Sequence, residues 1–379
     1  MSINKTVKIP VLSFYSGGGF MDMGFEMAGF EIVWTNELDE TFIKLHSAGI
    51  TSWRKAKGNG VKAEIFNKKS ITEVSSEEIK TEAFPKGIPR HFGIIGGPPC
   101  QDFSINGNME GFEGERGKLT ILYFDKIMEL RPTFFVMENV TGLTKSKSTK
   151  EHLTLLLKRV ETEYYVDHEI LNALYFGVPQ FRERIFFIGI RKDKIAEKHI
   201  KINMKGQWFN WPESKKYKNA DTKFSWPEAV PFGKQLTKPA ALPLELCVES
   251  CLVPTRQMNK IANANEYFNL YSTIDALQKI NEGETNRPSF KRLHRFKYSP
   301  TACYGNNEVH LHPYKNRRLS VREALRIQGV PDTYVLPAEL PLTKKFKMIG
   351  NGVPVPLAKG LATALKKFMK RKKIILSKK

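Results

Sequence analysis

Val7-Lys8-Ile9-Pro10-Val11-Leu12-Ser13-Phe14-Tyr15-Ser16-Gly17-Gly18-Gly19-Phe20-Met21 is the stretch on which the fold turns. Val7 to Tyr15 alternates and then runs apolar, the pattern of a strand that ends in a core. Ser16 to Gly19 is a glycine turn, after which Met21, Gly24, Phe25 and Ala28 recur at helical spacing. A strand, glycine turn and helix in that order bring backbone N–H groups close to any ligand at the helix start. The next strand, Glu31 to Thr35, ends at Asn36-Glu37, and an acid in that place suits a ribose diol. Asp39 is placed to cap the following helix, which carries Phe42, Ile43 and Leu45.

Outward from this unit the alternation continues. Residues 51–70 are polar and basic and read as a loop or insertion. Phe92 to Ile95 is a strand, Leu119 to Leu130 a helix, and Thr133 to Met137 a strand ending at Glu138-Asn139. A helix from Lys150 to Glu163 and strands near Val166 to Leu171 and Ile185 to Ile190 follow. This order predicts an α/β fold with a parallel or mostly parallel sheet and helices on both faces. Beyond Arg191 the composition changes. Residues 192–223 are Lys-rich with Trp208, Phe209 and Trp211 interleaved, and residues 224–300 are rich in Pro and Asn. Helical spacing returns in Val321 to Ile327 and Val355 to Phe368, and the basic stretch from Lys366 to Lys379 reads as a frayed, solvated tail.

Composition narrows the function. At 379 residues, one large domain with a smaller one is expected. There is no long apolar run and no charged-then-apolar leader, so a cytoplasmic protein without a membrane span is expected. Four cysteines are too few and too scattered for a disulfide framework. Cys247 and Cys251 are spaced like ligands on one helical face, but no second pair completes a zinc site, so a packing role and no metal are expected. Sixty Lys and Arg against thirty-nine Asp and Glu leave a formal charge of +21, which favours a polyanionic partner such as nucleic acid.

Three features at strand ends carry chemistry. The glycine turn with Glu37 is a candidate nucleoside site. Ile94-Ile95-Gly96-Gly97-Pro98-Pro99-Cys100 ends an apolar run in a turn that presents a thiol, a candidate nucleophile. Glu138 closes a strongly apolar strand, so its carboxyl should be desolvated and its pKa raised. In Gln180-Phe181-Arg182-Glu183-Arg184, alternation puts Gln180, Arg182 and Arg184 on one face, as a row able to hold a carboxylate or phosphate.

The chain resembles the DNA (cytosine-5)-methyltransferases over most of its length. Ser16-Gly17-Gly18-Gly19 through Gly24-Phe25, Asn36-Glu37, Gly97-Pro98-Pro99-Cys100-Gln101, Arg116-Gly117-Lys118-Leu119, Glu138-Asn139-Val140 and Gln180 to Arg184 stand in that family's order. Arg318-Leu319-Ser320-Val321-Arg322-Glu323, Gln328-Gly329-Val330-Pro331 and Gly350-Asn351-Gly352-Val353-Pro354-Val355 complete the series.

The resemblance implies a Rossmann-like, S-adenosylmethionine-dependent domain over 1–191, a target recognition domain over 192–311, and a return to the catalytic domain over 312–379. It implies a methyl transfer to C5 of a cytosine extruded from duplex DNA at a defined sequence, in a restriction-modification setting with a separately encoded endonuclease. Cys100 is then the thiolate that adds to C6, Glu138 the contact to N3 and the amine, and Arg184 the group that holds O2 and orients Glu138. Arg182 and Gln180 support the loop and backbone. Tyr15, Ser16, Gly17, Gly19, Glu37, Pro98, Leu119, Asn351 and Val353 fall at cofactor positions. Two departures stand out. Phe20 replaces a further glycine, and Lys69-Ser70-Ile71-Thr72 lies where an acid commonly accepts the adenine amine, leaving Ser70 beside Ile71, or Glu64 or Glu73, to substitute.

In the smaller region Arg256, Gln257 and Asn259 are chemically suited to base reading, while Arg292, His294 and Arg295 are expected at phosphate. A tRNA cytosine-5 methyltransferase shares the Pro-Pro-Cys-Gln loop, but its close Cys-Phe-Thr signature is not found. A catalytically silent DNA-binding homologue would have lost one of Cys100, Glu138 and Arg184.

Overall fold

The computed structural model describes residues 8–58, 65–99, 115–144, 147–270, 274–304 and 309–375; the Cys100 nucleophile candidate and Glu64 lie outside them. The strands are β1 (Ile9–Phe14), β2 (Phe30–Asn36), β3 (Ile65–Asn67), β4 (Gly93–Gly96), β5 (Phe134–Asn139), β6 (Tyr164–Asn172) and β7 (Glu183–Arg191), with β8 (Lys291–Arg292) and β9 (His310–Leu311) forming a separate pair. The helices are α1 (Phe20–Met27), α2 (Glu40–Ala56), α3 (Ser76–Ala83), α4 (Glu115–Leu130), α5 (Lys147–Val160), α6 (Ala220–Lys223), α7 (Ile274–Gln278), α8 (Val321–Ile327), α9 (Leu342–Asn351) and α10 (Val355–Arg371).

Seven strands form one sheet in the order β3-β2-β1-β4-β5-β7-β6, parallel except for β7, which runs against both neighbours. The strand order reverses between β1 and β4. Loops leaving their carboxyl ends diverge to opposite faces and open a crevice there, where α/β sheets bind ligands. The glycine turn leaves β1 and the Gly97-Pro98-Pro99 turn leaves β4, so the topology brings the two loops together.

Each face of the sheet has its own core. On one, α1 and α10 cover Val11, Phe30, Ile32, Phe134 and Ile188; on the other, α3, α4 and α5 cover Leu12, Phe14, Ile94, Phe135 and Met137. The helix starts follow local chemistry. Asp39 accepts from Thr41 N and Phe42 N at the head of α2, Ser75 caps α3, and Ser320 with Glu323 forms a capping box on α8.

Two expectations are corrected. The polar stretch after residue 50 continues α2 to Ala56 because Ile50 and Trp53 are buried, and Ile65–Asn67 adds an edge strand. The basic C-terminal stretch is not a frayed tail as far as Ile375: α10 reaches Arg371, and Ile374 and Ile375 are buried in the α1/α10 core. Trp208 and Phe209 both pack on Phe368 of α10 at 5.3 and 5.6 Å between centroids, with Trp211 edge-on to Phe209.

The smaller region between α6 and β9 has little regular structure and is held by buried polar contacts. Arg292 donates to the carbonyls of Leu277, Ile280, His312 and Lys315, and Arg295 forks onto the buried Glu282. Arg292 and His294 are buried and Arg295 is half-buried against Glu282, so all three are framework residues and the expectation of phosphate contact is overturned. Cys247 and Cys251 are buried in apolar clusters, and no group of metal ligands occurs among the described residues. No described helix is long and apolar enough to cross a membrane.

Candidate active site

The crevice is built from four strand ends. Tyr15, the residue after β1, has φ 54, a left-handed backbone that costs energy for a side chain with a Cβ and marks a site held by its surroundings. Its hydroxyl donates to Leu119 O at 3.1 Å, which ties the expected adenine-side residues together across the crevice mouth. Gly17 and Gly19 are also left-handed, at φ 52 and 71. At Gly19 a Cβ would stand 2.7 Å from the His46 ring, so glycine is required there on two grounds.

The turn is clamped from below. His46 Nδ1 donates to Gly17 O (3.2 Å) while its other face approaches the buried Asp22, which accepts from Ser13 Oγ (2.6 Å). Tyr334 donates its hydroxyl to Gly18 O at 2.7 Å. Glu37 closes the ring: one carboxylate oxygen accepts from Gly17 N (2.9 Å) and the other from Asp39 N (3.0 Å). These clamps leave a defined opening. Among the described residues Ser16 Oγ is buried without a hydrogen-bond partner, and nothing stands within 4 Å of where a Gly17 Cβ would sit. A buried orphan hydroxyl, an open glycine face and a fixed carboxylate fit a polar, nucleoside-like ligand.

On the other side of the switch point stands Glu138, at the end of β5 and only 9% exposed. Burial pushes its carboxyl pKa up, opposed by the neighbouring charges of Arg184 and Arg182. The antiparallel register of β7 on β5 pairs Glu138 with Phe186, which carries Arg184 alongside, and Arg184 Nε lies 3.1 Å from Glu138 Oε1. The loop after β4 crosses above: a Cβ on Gly97 would stand 3.0 Å from Glu138 Oε2. Asn139 Nδ2 reaches Pro98 O at 3.5 Å. Cys100 lies two residues past Pro98, outside the described residues.

Alternation along 180–184 is as expected, but the three side chains divide their work. Arg182 is not open to an anion: it is buried and donates to Ala302 O (3.2 Å) and Gly350 O (2.8 Å). Gln180 donates to Ile327 O and Gln328 Oε1 and accepts from Ala302 N. Only Arg184 faces the crevice acid.

The sequence profile of C-5 cytosine-specific DNA methylases matches residues 9–367. The chain belongs to this family. It is a DNA cytosine-5 methyltransferase, and its relatives bear this out. It is 37% identical over 370 residues to the type II methyltransferase M.NmeDI of Neisseria meningitidis serogroup C, covering 96% of this chain and 84% of that one. It is 33% identical over 389 residues to M.FnuDI of Fusobacterium nucleatum, covering 96% of each. Among solved structures, the S. pombe Dnmt2 methyltransferase shares the fold at a TM-score of 0.60 and 15% identity, over 96% of this chain and 99% of that one.

In this methylase the remaining site candidates are distributed as follows. Val353 is buried and Asn351 exposed at the end of α9, next to the Gly350 carbonyl held by Arg182. Ile71 is buried under the crevice rim; Ser70 is half-exposed and shares a 2.7 Å hydrogen bond with Thr72. Glu73 is exposed on the same turn. The Phe20 departure has a packing cause, since its ring stacks edge-on against Tyr334 and covers Gly352, where a Cβ would stand 2.2 Å from it. In the smaller region Arg256 and Asn259 are exposed and Gln257 half-buried.

Asp22, His46, Asn139 and Tyr334 were not legible as site supports. Asp22 and His46 sit at ordinary helical positions, and Tyr334 lies 316 residues from the carbonyl it holds. Beside the 180–184 segment, the smaller region leaves a cleft of about 550 Å³ whose lining includes Phe181, Lys291, Lys297, Tyr298 and Cys303.

Proposed function

We propose that the methylase transfers the methyl group of S-adenosylmethionine to C5 of a cytosine swung out of a specific duplex DNA sequence, through a covalent bond between Cys100 and C6. The observation that carries this reading is the Glu138–Arg184 pair beneath Gly97, beside the turn that leads to Cys100 and across the switch point from Glu37.

Tyr15, Ser16, Gly17, Gly19 and Glu37, with Ser70, Ile71, Pro98, Leu119, Asn351 and Val353 around them, are the residues to hold S-adenosylmethionine. When bound it supplies an electrophilic methyl group. Glu37 is oriented for the ribose diol by the two N–H groups it already accepts. The protein's task is to make C5 nucleophilic, because an aromatic cytosine C5 is not. The Cys100 thiolate adds to C6, and the ring electrons move toward N3 and C5. Glu138, whose pKa burial raises against the pull of the two arginines, meets N3 as that charge develops, and Arg184 fixes its orientation while meeting O2. Once C5 carries the methyl group, a base takes its proton, the C5–H electrons re-form the C5=C6 bond, and the C6–S bond breaks to return the thiolate. Extrusion of the base costs a few kcal/mol of unstacking. Lysines 291 and 297 at the cleft, within a chain of +21 charge, offset part of that by binding phosphate. The type II names of the relatives support a restriction-modification setting with a separate endonuclease.

Incubation with labelled S-adenosylmethionine, with mixed-sequence duplex DNA and total tRNA in separate reactions, tests the reading by product mass spectrometry. Label as 5-methylcytosine in DNA alone is expected; label in tRNA alone overturns it. Cys100→Ser should abolish turnover while retaining cofactor affinity, and loss of cofactor binding in that variant would contradict the placement of the thiol.

A further inference from the structure

From Leu340 to Lys379 the sequence has twelve Lys and Arg and no Asp or Glu. The fold spends only part of this charge. Lys344 pairs with Asp39, Lys345 with Glu266, and Lys366 donates to the carbonyls of Ala28 and Gly29. Lys359, Lys367, Lys370 and Arg371 are exposed and form no ion pair among the described residues. They share one stripe of α10, because Leu357, Ala358, Leu361, Ala362, Leu365, Phe368 and Met369 on the opposite stripe are buried.

Other cations extend the stripe at both ends. Lys359 acts on Lys57 at the end of α2, and Lys370 and Lys8 act on Lys366; these like charges lower the pKa of Lys57 and Lys366, after burial as the larger cause. Glu26, the carboxylate that favours the charged form of Lys57, is already joined to Arg54. The fold therefore holds a row of like charges close together, at a cost in self-repulsion. α10 starts just after Val353 at the catalytic crevice, and its exposed cations run away from that end from Lys359 to Arg371, about 18 Å.

We propose that this ridge is a second DNA-binding surface, which takes the phosphate backbone of a duplex segment other than the one at the target pocket. The inference rests on the DNA substrate proposed above. A lipid surface is disfavoured because the apolar stripe of α10 is fully occupied by the core and has nothing to insert. Duplex DNA is favoured because the polymer engaged at the crevice presents its other segments at high effective concentration. The ridge then speeds the search for target sites on long DNA by holding one segment while the crevice samples another.

The test compares the wild type with a Lys359→Gln, Lys367→Gln, Lys370→Gln, Arg371→Gln variant, none of which lies in the catalytic machinery. Binding to a non-target duplex is measured against salt concentration, where neutralising four phosphate contacts should reduce the slope of log K on log[salt] by about three to four. In parallel, methylation of one mapped site is measured in a short duplex and within a long linear duplex. The expected result is an unchanged rate on the short duplex and loss of the long-duplex advantage. A charge-preserving Lys359→Arg, Lys367→Arg, Lys370→Arg variant should keep both the slope and the advantage. An unchanged salt slope, or a long-duplex advantage that survives neutralisation, overturns the second surface. Absence of methylation of any duplex by the wild type would instead overturn the reading on which it rests.

Discussion

Arg184 Nε lies 3.1 Å from Glu138 Oε1, a contact made between adjacent strands that run in opposite directions. The antiparallel turn of β7 into the sheet is what carries an arginine to the carboxyl end of β5. The two groups act as a unit, because the guanidinium holds the carboxyl in place and moderates the rise in its pKa. Glu138→Ala and Arg184→Ala should each lower kcat by roughly 10²–10³-fold. The double variant should lose little more than the worse single one, as expected of residues that work together. Single-turnover kinetics on a mapped duplex provide the check, and multiplicative losses would show that the two act separately.

The glycine turn offers an internal comparison. Gly17→Ala places a methyl group in open space at φ 52 and should cost about 1–2 kcal/mol of stability from backbone strain alone. Gly19→Ala adds a collision with His46 to a similar strain and should cost about 2–4 kcal/mol. Urea unfolding of the two variants decides this. Equal losses would mean that His46 yields without resistance.

Ser70 tests the departure from the family pattern. Ser70→Asp places a charged acceptor on the rim beside Ile71 and should tighten S-adenosylmethionine binding by about 3–10-fold, the gain of one hydrogen bond. Calorimetric titration measures it, and an unchanged affinity would remove Ser70 from the adenine site.

His310 sets a pH dependence of stability. Burial pushes its pKa down to about 3, with Lys291 as a smaller cause, and neither ring nitrogen has a hydrogen-bond partner among the described residues. The ring is neutral in the folded chain and takes up a proton on unfolding below its usual value near 6.5. Stability from this group is therefore complete above that value and falls as the pH drops toward 3. Between pH 8 and pH 5 the loss should be about 2 kcal/mol. His310→Leu should flatten the pH slope of urea unfolding by that amount, and an unaltered slope would place the proton uptake elsewhere.

Much of the sheet was readable in the chain because its signals are local. Apolar runs end in Gly, Pro or acidic residues, and each such end is a true strand end: Tyr15 after β1, Glu37 after β2, Gly97 after β4, Asn139 at the end of β5. Glu138 and Arg184 were legible as chemistry for the same reason, but their contact depends on strand direction, which spacing does not encode. Arg292 and Arg295 were misjudged because an arginine spent on carbonyls or on a buried Glu looks, in sequence, like one offered to phosphate. The basic stripe of α10 looked like a loose end because the apolar partners of Ile374 and Ile375 lie far back in the chain.

The bond from Tyr334 to the Gly18 carbonyl ties the first loop of the fold to a residue made 316 positions later. Chains grow at about 5–20 residues per second, so the glycine turn waits roughly 16–60 s for its clamp during synthesis. A nascent or prematurely terminated polypeptide can carry Cys100, Glu138 and Arg184 and still lack a finished cofactor cradle. Completion of the cradle is thus a late step of synthesis, reached only after residue 334 has been added.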